Sequence, residues 1–260
     1  MTDVLTTVLR DLSAEGDALD ALVAGLDEAG WRKQTPAAGW DVATSISHLA
    51  WTDEVAVKAA TDKQAWDEVV LAAIADPDGF VDAEALAGAA VPAADLLGRW
   101  RAARVSLTSA LAAYDGAKMP WFGPPMSPTS MATARLMETW AHSLDVHQAL
   151  GVAPQPTNRI QHVAHLAVRT RNYAFLNNSL TPPDEEFRID LVAPDGEVWS
   201  FGPEDAAQTV TGSALDLCLL ATQRTHRADT DLVATGPDAD RWLDIAQCFA
   251  GPPGAGRVAS

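Results

Sequence analysis

The sequence predicts a four-helix bundle followed by a smaller α+β domain. Through most of the first 150 residues, apolar side chains recur at three- and four-residue steps in long segments, which is the helical period. From about residue 187 they alternate at every second position, as in strands, with helical segments before and after. The character changes across residues 151–157, so we place the domains at residues 1–155 and 156–260.

Start and stop signals define the helices of the predicted bundle. Asp41 is a candidate N-cap of the second helix, and Ser127 and Pro128 open the fourth, which Gly151 ends. The four helices cover residues 3–29 and 42–60, a segment that starts at Pro92, and residues 127–150. Residues 61–91 form an enlarged connection, with two short helical pieces around the turn at residues 76–79.

The second half of the chain alternates between helix and strand. A helix is predicted over about 158–177, and a hairpin turn is predicted at Asp195-Gly196. The predicted strands cover residues 187–193, 198–201, 208–211 and 231–234, and the later helices cover about 213–225 and 238–249.

Charge and composition exclude several classes of protein. The chain has 35 acidic and 18 basic residues and a formal net charge of −17, with no basic stripe, so a nucleic-acid partner and an anionic membrane surface are both disfavoured. No apolar run approaches the roughly 18 residues of a membrane span, and the acidic N-terminus does not resemble a signal peptide. Cys218 and Cys248 form no CxxC pair and are interpreted as buried free thiols. We therefore expect a cytoplasmic protein.

One helical segment carries candidate metal ligands. In ETWAHSLD, residues 138–145, Glu138 and His142 are four residues apart, so both side chains can reach one point beside the helix. Carboxylate oxygen and imidazole nitrogen are zinc ligands. A third ligand has to come from another helix, and His48 is the natural candidate. The alternative is that residues 135–145 present a solvated polar face and that His48 only packs in its helix.

The other histidines are weaker candidates for metal ligands, and the tryptophans are expected to pack in the core. His147, five residues after His142, points away from it around the helix. His162 and His165 share a helix with no obvious ligand partner. Core positions are expected for three of the nine tryptophans, Trp40, Trp100 and Trp140.

The segments GWDVATSISHLA, residues 39–50, and ETWAHSLD resemble the mycothiol-dependent maleylpyruvate isomerase family. That family belongs to the DinB-like four-helix-bundle superfamily of metal-binding proteins. The resemblance implies that His48, Glu138 and His142 bind zinc and that Asp145 takes part in catalysis. It also implies a sterol-carrier-like second domain in which Arg224 contributes to activity, although here the arginine follows Gln223 where the family often has glycine.

The family resemblance implies an isomerase or transferase that uses mycothiol, or another low-molecular-weight thiol, on a small electrophilic and carboxylated substrate. The ligand set also suits Ni²⁺, Co²⁺ or Fe²⁺. Two alternatives stay open on the sequence: a zinc-dependent hydrolase and a non-catalytic metal-binding or sensor protein. Arg224 is itself either a substrate-binding residue or a cap at the end of its helix.

Overall fold

The structure is a computed structural model that describes residues 3–254 and 256–259. The chain divides into two compact units, Met1–Pro154 and Gln155–Ser260. The helices of the first unit are α1 (Val4–Val23), α2 (Glu28–Trp31), α3 (Val42–Thr61), α4 (Lys63–Ala75), α5 (Phe80–Gly88), α6 (Ala93–Ala113) and α7 (Pro128–Leu150). The long helices α1, α3, α6 and α7 form a bundle in which α1 packs against α7 and α6, and α3 packs against the same two helices.

The predicted helix ends are confirmed where a capping residue marks them. The Asp41 side chain accepts a hydrogen bond from the Thr44 N–H at 2.7 Å, which begins α3. The Ser127 hydroxyl accepts from the Ser130 N–H at 3.1 Å, and Pro128 follows as the first residue of α7. Gly151 ends α7 in the left-handed conformation, with φ of 69°, which glycine adopts without steric cost.

The core of the bundle lies around α3, because α5, α6 and α7 all pack against it. Several of its large apolar side chains are fully buried, among them Leu19, Ile46, Leu49, Leu96 and Trp100. The polar residues Ser45, Ser47, His48 and Asp53 of α3 are also buried. A helix enclosed on most sides can therefore hold polar groups away from water, and it supplies one half of the candidate site.

The first helix is shorter than predicted. The sequence suggested one helix over residues 3–29, whereas α1 ends at Val23 and α2 is a separate turn. Gly25 follows the end of α1 and has low helix propensity. The Asp27 side chain then accepts from the Gly30 N–H at 2.8 Å and starts the new turn. The connection over residues 61–91 contains two short helices, α4 and α5, as expected.

The second unit contains a small mixed sheet in the described part of the chain. Its helices and strands are α8 (Gln161–Arg169), α9 (Arg171–Asn177), β1 (Arg188–Val192), β2 (Val198–Phe201), β3 (Thr209–Ser213), α10 (Ala214–Ala221), β4 (Val233–Thr235) and α11 (Pro237–Ile245). The strand order is β2-β1-β3-β4, with β1 and β3 parallel and the other pairs antiparallel. The predicted hairpin turn joins β1 to β2, and Gly196 has a φ of 89° there.

Three predicted helices of this unit differ from the structure: the first is interrupted, and the helices over 213–225 and 238–249 end early, at Ala221 and Ile245. The helix over 158–177 is a 3₁₀ turn followed by α8 and α9, and it breaks at Thr170. The Thr170 hydroxyl donates toward the carbonyls of Leu166 and Gln247, which favours a break there. The last helix ends at Ile245, so Cys248 lies outside it. Cys218 and Cys248 are both buried free thiols, as predicted.

No helix within residues 3–254 and 256–259 is both long enough and apolar enough to cross a bilayer.

Candidate metal centre

Helices α3 and α7 bring three potential ligands to one point. His48 extends from α3, and Glu138 and His142 extend from successive turns of α7. The Oε2 atom of Glu138 lies 3.4 Å from Nε2 of His48 and 3.4 Å from Nε2 of His142. One donor atom from each of the three residues lies within 4.8 Å of the other two. Within the described residues, these three form the group of His, Cys, Asp and Glu side chains close enough to share a cation.

The spacing and chemistry of these atoms fit a divalent cation. At 3.4 Å, the histidine–carboxylate contacts are longer than the roughly 2.7–3.2 Å of ordinary N–H···O hydrogen bonds. Two ligands each about 2.1 Å from a tetrahedral cation would lie about 3.4 Å apart. Two imidazole nitrogens and one carboxylate oxygen are also a ligand set that zinc accepts, with one position left for water or substrate.

The surroundings favour the protonation states that a cation needs. Burial lowers the pKa of His48 to about 4, and the neighbouring His142 acts in the same direction, so His48 is neutral near pH 7. Burial alone would raise the pKa of Glu138. The contacts with His142 and His48, together with the charge of Arg135, outweigh that effect and hold the pKa of Glu138 well below its usual value. Neutral imidazoles and an ionised carboxylate are the forms that coordinate metals.

Asp145 lies behind one of the candidate ligands. It is only 2% exposed, and its Oδ2 atom is 3.5 Å from Nδ1 of His142. The Nε2 atom of the same imidazole faces Glu138. A carboxylate at the far nitrogen of a ligating histidine favours the tautomer that leaves Nε2 free to coordinate, and it fixes the orientation of the ring. In this arrangement Asp145 contacts His142 from the side opposite the proposed cation.

A buried ion pair links the two helices beside the site. Arg135 of α7 donates from Nε to Oδ1 of Asp53 at 3.1 Å and from Nη2 to the Thr52 hydroxyl at 2.5 Å. The Thr52 hydroxyl in turn donates to the His48 carbonyl at 2.7 Å. Arg135 and Asp53 are 3% and 2% exposed. The interpretation of residues 135–145 as a solvated face is therefore wrong, because α3 covers the polar side of α7. No pattern in the sequence indicated a role for Asp53.

Trp40 packs against both histidines. Its ring is nearly parallel to that of His142, with an interplanar angle of 15° and centroids 5.5 Å apart. It is tilted by 53° from that of His48, with centroids 5.2 Å apart. Trp40, Trp100 and Trp140 are all buried, as predicted. The contact of Trp40 with the candidate ligands was not anticipated, although Trp40 lies directly before the N-cap Asp41 and only eight residues, about two helical turns, before His48.

Arg224 lies in the second unit, just after α10. It is half-buried, and its Nη1 donates to the Thr222 carbonyl at 2.5 Å, so it contacts the end of that helix. Gln223 has a φ of 58°, the left-handed conformation that favours glycine at a helix end. The Arg224 N–H donates to the Leu219 carbonyl at 2.8 Å, as in a Schellman motif. Glutamine in place of glycine therefore leaves the usual backbone geometry intact, although it strains the residue before Arg224.

Comparison with protein families identifies the first unit. The model of the mycothiol maleylpyruvate isomerase N-terminal domain matches residues 12–147, which include all three candidate ligands and Asp145. The chain belongs to the mycothiol maleylpyruvate isomerase family. A second model, described as wyosine base formation, matches residues 183–235 of this family member, which span the sheet of the second unit.

Curated relatives and solved structures match most of the chain. Two uncharacterized proteins of Mycobacterium tuberculosis, from strains CDC 1551 and H37Rv, are each 57% identical over 250 residues, covering 96% of this chain and 97% of their own. A crystal structure of the mycothiol-dependent maleylpyruvate isomerase matches with a TM-score of 0.60 at 14% identity, covering 92% of this chain and 99% of that one. A mutant of that enzyme matches with a TM-score of 0.59. At this identity the two structures establish the shared fold.

Proposed function

We propose that this family member is a metal-dependent enzyme that uses a low-molecular-weight thiol, with mycothiol as the first candidate, on a small electrophilic and carboxylated substrate. The observation that carries the proposal is the convergence of His48, Glu138 and His142 within 4.8 Å, inside the domain that the isomerase family model matches. The named activity of the structurally similar isomerase supports the choice of thiol and of reaction class.

His48, Glu138 and His142 would hold the cation, most simply Zn²⁺, with Ni²⁺, Co²⁺ or Fe²⁺ also compatible with two nitrogens and one oxygen. A divalent cation in this position supplies a positive charge that stabilises a coordinating thiol as its thiolate. The protein ligands contain no sulfur, so an external thiol would be the first sulfur at the site. Neither Cys218 nor Cys248 belongs to the ligand group.

The residues around the ligands would prepare and hold the reactants. Asp145 would fix the His142 imidazole through Nδ1, which keeps Nε2 directed at the site. Trp40 covers the imidazoles and excludes water from that side. In the second unit, which we propose to be sterol-carrier-like, Arg224 would grip a substrate carboxylate through two parallel N–H···O bonds.

The reaction class follows from the reactivity of a thiolate. A thiolate that adds to a conjugated double bond and leaves again permits rotation about that bond, which isomerises the substrate. A thiolate that displaces a leaving group instead gives transfer. Both reactions need the same metal ligands and thiol, so the proposal covers an isomerase or a thiol transferase.

Thiol selectivity distinguishes this enzyme from a hydrolase or a metal sensor. Cobalt-loaded protein should show ligand-field bands without a strong sulfur-to-metal charge-transfer band. Titration with mycothiol should create that band in the near ultraviolet, and the change should saturate and grow with pH as the thiol loses its proton. Mycothiol should bind much more tightly than β-mercaptoethanol, because contacts with the pocket add to the metal–sulfur bond.

The comparison thiol is the control in this titration, because any open metal site binds simple thiols to some extent. Equally weak binding of mycothiol and β-mercaptoethanol would contradict the thiol-dependent function. It would leave a hydrolase, in which water takes the open position, or a non-catalytic sensor.

A further inference from the structure

Trp40 is the aromatic side chain that contacts both candidate imidazole ligands most closely. Its indole stacks on His142 and leans over His48, and it is only 9% exposed. The two imidazoles differ in how their far nitrogens are supported. Nδ1 of His142 faces Asp145, whereas Nδ1 of His48 has no hydrogen-bond partner among the described residues. Apart from the contact of its Nε2 with Glu138, the His48 ring is therefore oriented by packing against Trp40, His142 and Trp51.

The Trp40 indole is itself anchored from a distant part of the chain. Its Nε1–H donates to Oδ1 of Asp82 at 3.1 Å, and Asp82 lies in α5, 42 residues further on. The Trp40 backbone is fixed as well, because its N–H donates to the Ala37 carbonyl at 3.0 Å and its carbonyl accepts from the Thr35 N–H at 2.9 Å. With both ends held, the indole presents a defined face to the two imidazoles.

We propose that Asp82 and Trp40 are positioning residues of the metal centre: the Asp82 carboxylate holds the Trp40 indole, and the indole holds the imidazoles of His142 and His48 in their ligating orientation. This inference rests on the proposed function. Groups that orient metal ligands typically contribute about 10–100-fold to metal affinity. The indole face also carries partial negative charge, which favours an imidazole that has donated electron density to a cation.

The same contact connects the enlarged segment over residues 61–91 with the site. Helix α5 packs against α3, and its Asp82 carboxylate contacts Trp40, which packs on both imidazoles. A change in α5 that moves the Asp82 carboxylate would therefore alter metal affinity without touching a ligand.

A double-mutant cycle tests the proposal. The affinity of the full-length protein for Co²⁺ is measured by competition with a chelator for the wild type, Asp82→Ala, Trp40→Phe and the double variant. Asp82→Ala should weaken Co²⁺ binding by about 10-fold. In the Trp40→Phe background it should have no further effect, because phenylalanine has no N–H to donate. Asp82→Asn keeps an acceptor oxygen and should restore most of the affinity. Glu68→Ala, at an exposed acid of α4, is the matched control and should leave affinity unchanged.

A second measurement needs no metal. In the metal-free protein, the ring current of Trp40 should shift the imidazole proton resonances of His142 and His48, and Asp82→Ala should move them toward unshifted values. Two results would overturn the positioning role while leaving the proposed function standing. In the first, Asp82→Ala changes neither the Co²⁺ affinity nor the imidazole resonances. In the second, the affinity losses of the Asp82 and Trp40 variants add in the double variant. A wild type that binds no Co²⁺ would reject the metal function, and the imidazole resonances would then decide the positioning role alone.

Discussion

His142→Ala is expected to abolish stoichiometric metal binding. The substitution removes one of three protein ligands, and it also leaves Asp145 without the imidazole that it orients. Because the loss of groups that merely orient ligands already costs roughly 10–100-fold, the loss of a ligand should lower metal affinity by more than about 100-fold. Affinity for Zn²⁺ or Co²⁺ can be measured by chelator competition, with circular dichroism to confirm that the helices remain folded.

His147→Ala provides the matched control, since His147 lies on the same helix five residues from His142 and its Nδ1 contacts the Val152 carbonyl at 3.1 Å. Its replacement should leave metal affinity close to that of the wild type. Equal metal content in the two variants, or full retention of metal by His142→Ala, would show that the cation is held elsewhere or not at all.

Arg135→Met is expected to lower the free energy of unfolding more than any other substitution considered for this protein. It leaves the Asp53 carboxylate buried without its partner, and breaking a buried ion pair in this way typically costs about 3–5 kcal/mol. Burial already raises the pKa of Asp53 from 3.8 to about 6 in the intact protein, where Arg135 acts to lower it. Without Arg135 the pKa of Asp53 should lie higher still.

The pH dependence of this loss follows from the direction of the shift. A carboxyl group whose pKa is higher in the folded state favours folding while it is protonated, and that contribution is lost as the pH rises through the folded pKa. Urea unfolding of metal-free Arg135→Met should therefore show a large loss of stability near pH 8 and a much smaller one near pH 5.

Arg99→Met is the control, because Arg99 pairs with Glu54 at a site where both side chains are about one-third exposed. The loss from removing that pair should stay below about 1 kcal/mol at both pH values. An Arg135→Met loss that is no larger than this, or that does not change with pH, would contradict the account of the buried pair.

Local signals in the sequence predicted most of the fold. The caps at Asp41 and Ser127 and the stop at Gly151 depend on residues within a few positions of the helix end, so they can be recognised without tertiary information. The spacing of Glu138 and His142 likewise places both on one side of a helix. His48 was harder to assign, because nothing local indicates that α3 faces α7. The residue pattern made it the candidate third ligand, and the family resemblance strengthened that choice.

The surroundings of the site could not be predicted in the same way. The Arg135–Asp53 pair joins residues 82 positions apart, and the Trp40–Asp82 bond joins residues 42 apart. Each exists only because the bundle brings distant helices together, so periodicity gives no sign of either. The parallel pairing of β1 and β3 is also non-local, since β2 lies between them in the chain. The ends of α1 and α11 were predicted too late, because the apolar periodicity of the sequence continues past the residue where each helix stops.

X-ray absorption at the zinc edge tests the central claim most directly. Protein reconstituted with Zn²⁺ should contain about one ion per chain, with a first shell of nitrogen and oxygen at about 2.0–2.2 Å and the outer scattering typical of imidazole. Addition of mycothiol should introduce one sulfur at about 2.3 Å. Three results would contradict a thiol-dependent metal centre built from His48, Glu138 and His142. The protein could bind no zinc, its zinc could have sulfur ligands before any thiol is added, or mycothiol could leave the first shell unchanged.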